Sequence, residues 1–356
     1  MLSAQLIAVL LVAGAADRAV VEHVTSRDLP GASAAIVIGD DIVYAGAAGR
    51  ADLDSGRPLT ADTPLYAGSL SKVFTAVLVL NRVEAGELAL GQQPDFGSIA
   101  DDATVLDLLT HSSGLSREGD FGYWFTGEFP DDVALIDYLR RAQQRYRPGS
   151  RLAYSNIGYA TLGLMLASGN EETFESLLRE RVLDPLGMQQ SGAPGPTPGI
   201  ARGYTPSDRL VPNDARPFAG VGDAVGSRRL REYHDAAAMT PAFGIYTSAR
   251  DLGRLARFLL GHGGETVLSV DMRRRMLTRQ PSGWGLGLGI ETRDGRRIAR
   301  HSGWFAAHRS YLLIDADAGV AVAVLTNSDD GRPAALANRL YELVLGGIGT
   351  VTQDSP

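Results

Sequence analysis

The apolar residues change period twice along the chain, and that change limits which folds are open to it. From Ala32 to Gly49 the run A-S-A-A-I-V-I-G-D-D-I-V-Y-A-G-A-A-G reads as two strands joined by a tight turn at Asp40 and Asp41. The far end has the same texture. Segments 285–292, 297–301, 310–314 and 319–326 are apolar or alternating, and the turn signals R-D-G-R and D-A-D-A-G lie between them. They predict an antiparallel meander, followed by a last helix over 334–345. In the middle the period becomes helical over 69–84, 105–110, 132–143, 157–167 and 172–181. Residues 191–226 are rich in Pro and Gly and read as long loops, and helical spacing resumes over 251–260. A short helix after Asp17 should stop at Pro30 and Gly31.

The two ends therefore share one sheet. The expected class is α+β: an antiparallel β-sheet flanked by N- and C-terminal helices, with an inserted, mainly helical domain. Residues 17–66 and 240–350 would form the α/β domain, 67–239 the helical domain with its long loops, and 351–356 a tail. A cleft between the two is the expected place for a site.

Residues 1–16 are apolar and end in small residues at Ala13 to Ala15, as an export signal would, although no basic residue precedes the run. The competing reading is an apolar helix packed on the domain. The signal reading predicts a secreted or periplasmic protein, and no segment has the length and apolarity for a stable membrane span. A net charge of −7 argues against nucleic acid as a partner. With no cysteine, thiol nucleophiles, disulfides and Cys-ligated metals are excluded. There is no H-E-x-x-H, and neither a metal nor another cofactor is expected. Oligomeric state leaves no trace in the sequence.

Of 34 basic residues counted as Lys plus Arg, Lys72 is the single lysine. Arginine stays protonated, whereas a desolvated lysine can release its proton and serve as a base. Lys72 lies three positions after Ser69 in A-G-S-L-S-K-V-F, one turn along the same helix face. Held between Leu70 and Val73, the amine would lose hydration and its pKa would fall, so it could take the Ser69 hydroxyl proton. Taken alone, the tetrapeptide favours a serine helix cap followed by a solvent-facing lysine. The uniqueness of the lysine favours the chemical reading.

Partners are available in two further segments. In Y-S-N, Tyr154 and Asn156 would point the same way, the phenol as a second acid/base with a lowered pKa and the carboxamide as a substrate-amide ligand. The plain alternative has Asn156 capping the next helix and Tyr154 packing on it. In R-H-S-G-W, Gly303 would let a substrate backbone lie alongside a strand, and the amide of Trp304 could join that of Ser69 in an oxyanion hole. His301 would offer a polar or cationic group, or none if it merely ends the strand. Tyr123, Trp124, Phe125 and Trp304 either line the cleft or belong to the core.

S-L-S-K, Y-S-N and H-S-G, in this order and spacing, resemble the serine β-lactamase and penicillin-binding superfamily, most of all its class C-like branch. L-L-T-H-S-S-G-L from Leu108, D-P-L-G-M from Asp184, T-P-A-F-G-I-Y-T-S-A-R-D-L from Thr240 and W-G-L-G-L-G from Trp284 extend the likeness from about Asp17 to Leu345. The resemblance implies an acyl-enzyme on Ser69, with Lys72 as general base and Tyr154 as second acid/base. It implies Asn156, His301, Ser302, Gly303 and Trp304 as substrate-binding residues, and gives His111 a structural loop role. The expected substrate is a small molecule or short peptide: a β-lactam, a D-amino-acid peptide or a small ester. Histidine where many β-lactamases carry K-T-G points away from efficient β-lactam hydrolysis. The alternative function is a penicillin-binding or sensor protein that acylates without turnover.

Overall fold

The structure is a computed structural model that describes residues 4–97, 102–168, 172–193, 199–206, 221–225, 228–231 and 235–353. Helix α1 (Ala4–Thr25) leads into the hairpin β1 (Gly31–Ile38) and β2 (Asp41–Gly49). A two-residue strand, β3 (Leu65–Tyr66), precedes a 3₁₀ turn over Gly68–Leu70 and helix α2 (Ser71–Glu84). Short helices follow: α3 (Val105–Leu109), α4 (Tyr123–Thr126), α5 (Asp132–Arg141), α6 (Asn156–Ala167) and α7 (Phe174–Leu178), the last continuing into a π-helical turn. Strands β4 (Gly203–Pro206), β5 (Val221–Val225) and β6 (Arg228–Arg231) form a small antiparallel sheet. A π-helical turn over Thr240–Gly244 precedes β7 (Tyr246–Thr247), which pairs with β3, and then α8 (Ala249–Leu259) and α9 (Val270–Met276). The meander β8 (Gly289–Arg293), β9 (Arg296–Phe305), β10 (His308–Asp315) and β11 (Val320–Thr326) ends in α10 (Pro333–Gln353).

The main sheet has the order β2-β1-β11-β10-β9-β8, every described pairing antiparallel, and β1 meets β11 with Ala34 opposite Val324. The two ends of the chain therefore close one sheet, as the periodicity predicts. All seven residues of β11 are buried because both faces of the sheet are covered. On one face Ala16, Ala19 and Val20 of α1 and Leu336, Leu340 and Val344 of α10 pack on Ile36, Val322 and Val324. On the other, Leu252, Leu255 and Phe258 of α8 join the core that runs on through α2 and α6. Side-chain caps set the helix starts: Thr104 begins α3 with a capping box, and Ser155 begins α6 by accepting from Gly158 N–H.

The structure departs from the sequence reading in three places. Helix α1 begins at Ala4 rather than after Asp17, and Val12, Ala13 and Ala16 pack against the sheet and α10; residues 1–3 lie outside the described residues. The expected short helix after Asp17 is thus the second half of a longer one. Helix α10 runs on to Gln353, so 351–353 are helical rather than tail. The 191–226 stretch contains β4 and β5, too short to show a period; the rest of that expectation falls partly outside the described residues. Among the described residues, no helix is long and apolar enough to cross a membrane.

Candidate active site

Ser69 sits in the 3₁₀ turn ahead of α2 rather than in the helix itself. The turn is pinned from two sides. Ala67 N–H donates to Ile245 C=O at 2.8 Å, and Ser310 Oγ donates to Ala67 C=O at 2.6 Å. Strand β9 presses against the same turn, which is possible because two residues lack a Cβ. On Gly303 a Cβ would collide with Ala67 O and Ser310 Oγ; on Gly68, at φ 56°, it would collide with the backbone of Trp304. This close approach brings the Trp304 amide nitrogen against the Ser69 turn.

Lys72, in the first turn of α2, is wholly buried. Its neighbours tie the helix to the π-helical turn: Ile245 N–H donates to Ser71 Oγ at 3.0 Å, and Thr75 Oγ1 donates to Pro241 C=O at 2.7 Å. Lys72 Nζ itself donates to Ala242 C=O and to Asn156 Oδ1, each at 2.7 Å. An uncharged amine has two N–H donors and one lone pair, so both donors are engaged and the lone pair is left over. Burial drives the Lys72 pKa well below the usual lysine value; Glu118 opposes that shift and Arg117 adds to it.

The Tyr154 ring lies 4.9 Å from Lys72 Nζ, and Tyr154 and Ser69 line the same cleft. The expected lowering of the phenol pKa is overturned. Burial raises it, outweighing the lowering effects of the Ser69 hydroxyl and the charge of Arg117, so Tyr154 keeps its proton at neutral pH. Behind it His111, at φ 55°, stacks on the phenol at 4.1 Å and accepts from Ser155 N–H through Nδ1 at 3.1 Å.

Asn156 is buried behind the cleft wall. Its Oδ1 accepts from Lys72 and its Nδ2 donates to both carboxylate oxygens of Glu118, at 3.0 and 2.8 Å. Its side chain thus meets protein on both sides, where the sequence reading has it meet substrate. Glu118 also accepts from the Tyr123 hydroxyl and from Arg117 Nε. Neither Glu118 nor Arg117 emerges from the sequence. Both come just after the L-L-T-H-S-S-G-L run, past Ser116, but no spacing rule links position 118 to 156.

The R-H-S-G-W segment lies inside β9, not at its end. His301 donates from Nδ1 to Ser302 C=O at 2.8 Å, and its buried Nε2 has no hydrogen-bond partner among the described residues. Burial, with the charge of Lys72 adding to it, brings its pKa down to about 3, so the imidazole is neutral and Nε2 carries a lone pair. Trp304 donates its indole N–H to Asp329 Oδ1 at 2.5 Å and stacks on Trp124 at 5.3 Å. A cleft of about 1110 Å³ is lined by Ser69, Tyr154, His301, Ser302, Gly303 and Trp304, with Arg117 and Arg300 among its other walls. Of the other aromatics, Tyr123 is buried, Trp124 is half-buried against Trp304, and Phe125 is exposed.

A serine and a phenol lining one cleft, with a buried amine 4.9 Å from the phenol ring, suit acyl transfer. A profile of the Beta-lactamase family matches residues 16–346. The chain is 28% identical to penicillin-binding protein 4 of Amycolatopsis lactamdurans, over 92% of this chain and 88% of that one. It is 29% identical to esterase EstB of Burkholderia gladioli, over 85% and 87% respectively. The fold matches D-amino acid amidase from Ochrobactrum anthropi SV3 at a TM-score of 0.79 and 23% identity, covering 95% of this chain and 99% of the other. The chain belongs to the β-lactamase family of serine hydrolases.

Proposed function

We propose that Ser69 is the nucleophile of a hydrolase acting on a small ester or amide, with Lys72 as its general base and Tyr154 as a proton relay. The observation that carries this reading is the buried Lys72 amine, both of its N–H donors held by Asn156 and Ala242, 4.9 Å from the ring of Tyr154, which lines the cleft with Ser69. Ser69 Oγ attacks the carbonyl carbon while Lys72 Nζ takes its proton. The backbone N–H groups of Ser69 and Trp304 receive the oxyanion. Collapse breaks the bond to the alcohol or amine, which leaves with the proton passed from Lys72 through the Tyr154 hydroxyl. Water then adds to the acyl carbonyl and gives its proton to the same pair; collapse returns a hydrogen to Ser69 and frees the acid.

His301 Nε2 and the Ser302 hydroxyl bind the substrate's polar groups, while Gly303, expected from sequence to make room for substrate backbone, instead makes room for the Ser69 turn. A neutral His301 places no cation in the third motif, which favours esters and amides over β-lactams. The similarity to an esterase supports the same preference. The test is turnover of short-chain nitrophenyl esters, D-alanyl anilides and nitrocefin by the wild type and Ser69→Ala. Ester or anilide hydrolysis that disappears in Ser69→Ala is expected. Activity retained within about tenfold, or about 1.4 kcal/mol of barrier, refutes the assignment. Export directed by residues 1–16 is a separate proposal, tested by the N-terminal residue of protein recovered from outside the cytoplasm.

A further inference from the structure

Glu118 has no part in the steps above, yet it is the carboxylate nearest the base in hydrogen-bond terms. We infer that Glu118 is a positioning residue that, by fixing the orientation of the Asn156 amide, aims the Lys72 lone pair at Ser69. This rests on the assignment of Lys72 as the base.

A carboxylate only accepts hydrogen bonds, so Asn156 must turn its NH₂ toward Glu118, and both oxygens lie within 3.0 Å of Nδ2. Oδ1 is then forced to the opposite side, where it accepts from Lys72 Nζ at 2.7 Å. Turning the amide by half a rotation would set Oδ1 against the carboxylate and an NH₂ against the amine. With Oδ1 and Ala242 C=O holding two hydrogens of Nζ, its remaining direction is fixed. Glu118 is itself held by the Tyr123 hydroxyl, whose ring is buried among Trp124, Phe129 and Phe243, and by Arg117 Nε. Arg117 C=O also accepts from Asn156 N–H at 2.8 Å, so the 117–118 segment holds Asn156 by backbone and side chain together.

The titratable and charged groups around Lys72 are Glu118 and Arg117 on one loop, His111 on another, Tyr154 and Tyr159 at α6, and His301 on β9. Only Glu118 among them favours the charged amine. Glu118→Gln keeps an oxygen for Asn156 Nδ2 but removes the charge, so Lys72 should lose its proton at a lower pH. Glu118→Leu leaves the Asn156 amide free to turn.

The experiment follows fluorophosphonate labelling of Ser69 against pH, with the Lys72 Nζ titration followed by ¹⁵N NMR. Glu118→Gln should move the acid limb of labelling, and the Nζ midpoint with it, to lower pH while keeping the plateau within about tenfold. Glu118→Leu should lower the plateau by about 100-fold, the usual size of a misaimed catalytic group. A limb and midpoint that stay at the wild-type pH in Glu118→Gln overturn the inference, even if Glu118→Leu fails to fold. Labelling that survives Ser69→Ala would instead refute the underlying reading, so the two failures are distinguishable.

Discussion

Replacing Lys72 with methionine converts the protonation state of the buried amine into a stability measurement. Methionine preserves most of the apolar stem but leaves Asn156 Oδ1 and Ala242 C=O without their donor. Each orphaned acceptor costs about 1–3 kcal/mol, at any pH. The second effect depends on pH. Folding pushes the Lys72 pKa well below its usual value, whereas the unfolded chain keeps the ordinary one near 10.4. Between the two pKa values the unfolded state holds the extra proton, so wild-type stability rises with pH by up to about 1.4 kcal/mol per pH unit. Put the other way, the buried amine disfavours folding most at or below its folded pKa, and that penalty fades as pH climbs toward the unfolded value. Lys72→Met lacks this slope. Neighbouring groups leave the window clear: His301 titrates at about 3, His111 lies well below 6.5, and Tyr154 and Tyr159 lie above 10. Urea unfolding of both proteins from about pH 7 to about pH 9, followed by tryptophan fluorescence, should show the wild type gaining on the variant at each step. Parallel stability curves would mean that Lys72 is charged in the folded protein, and the base assignment would fail.

Two other positions give direct tests. Gly303→Ala drives a methyl group into Ala67 O and Ser310 Oγ; overpacking of this kind typically costs about 1–3 kcal/mol, and it should displace the Ser69 turn. A lower unfolding midpoint with slower Ser69 labelling is expected, and wild-type behaviour in both would refute the close approach as a requirement. His111→Asn retains an acceptor for Ser155 N–H and tolerates positive φ, whereas His111→Phe keeps only the ring stacked on Tyr154. The asparagine variant should acylate faster than the phenylalanine variant; the reverse order would show that stacking, not the hydrogen bond, positions Tyr154.

The three short motifs were readable because each places its residues by local geometry: one helical turn for Ser69 and Lys72, one strand for His301 to Trp304. The sheet was readable because β1 and β11 carry continuous apolar runs. What the sequence concealed depends on distance or burial. The bond from Asn156 to Glu118 spans 38 residues and joins a helix start to a loop, which no periodicity encodes. The Tyr154 pKa was misjudged because a nearby cation can be inferred from sequence, whereas the burial that outweighs it cannot. Helix α1 begins at Ala4, ahead of the short helix expected after Asp17, which rests on the periodic pattern from Arg18 onward alone; Val12 and Ala13 are partly buried against the core.

The sole lysine of the chain makes the most direct measurement simple, since ¹⁵N-lysine labelling yields a single Nζ resonance that belongs to Lys72. Followed against pH in the folded enzyme, that resonance should report a neutral amine well below the ordinary lysine range. A midpoint at or above about 10.4 would show a permanently charged ammonium beside Ser69 and contradict its role as the base.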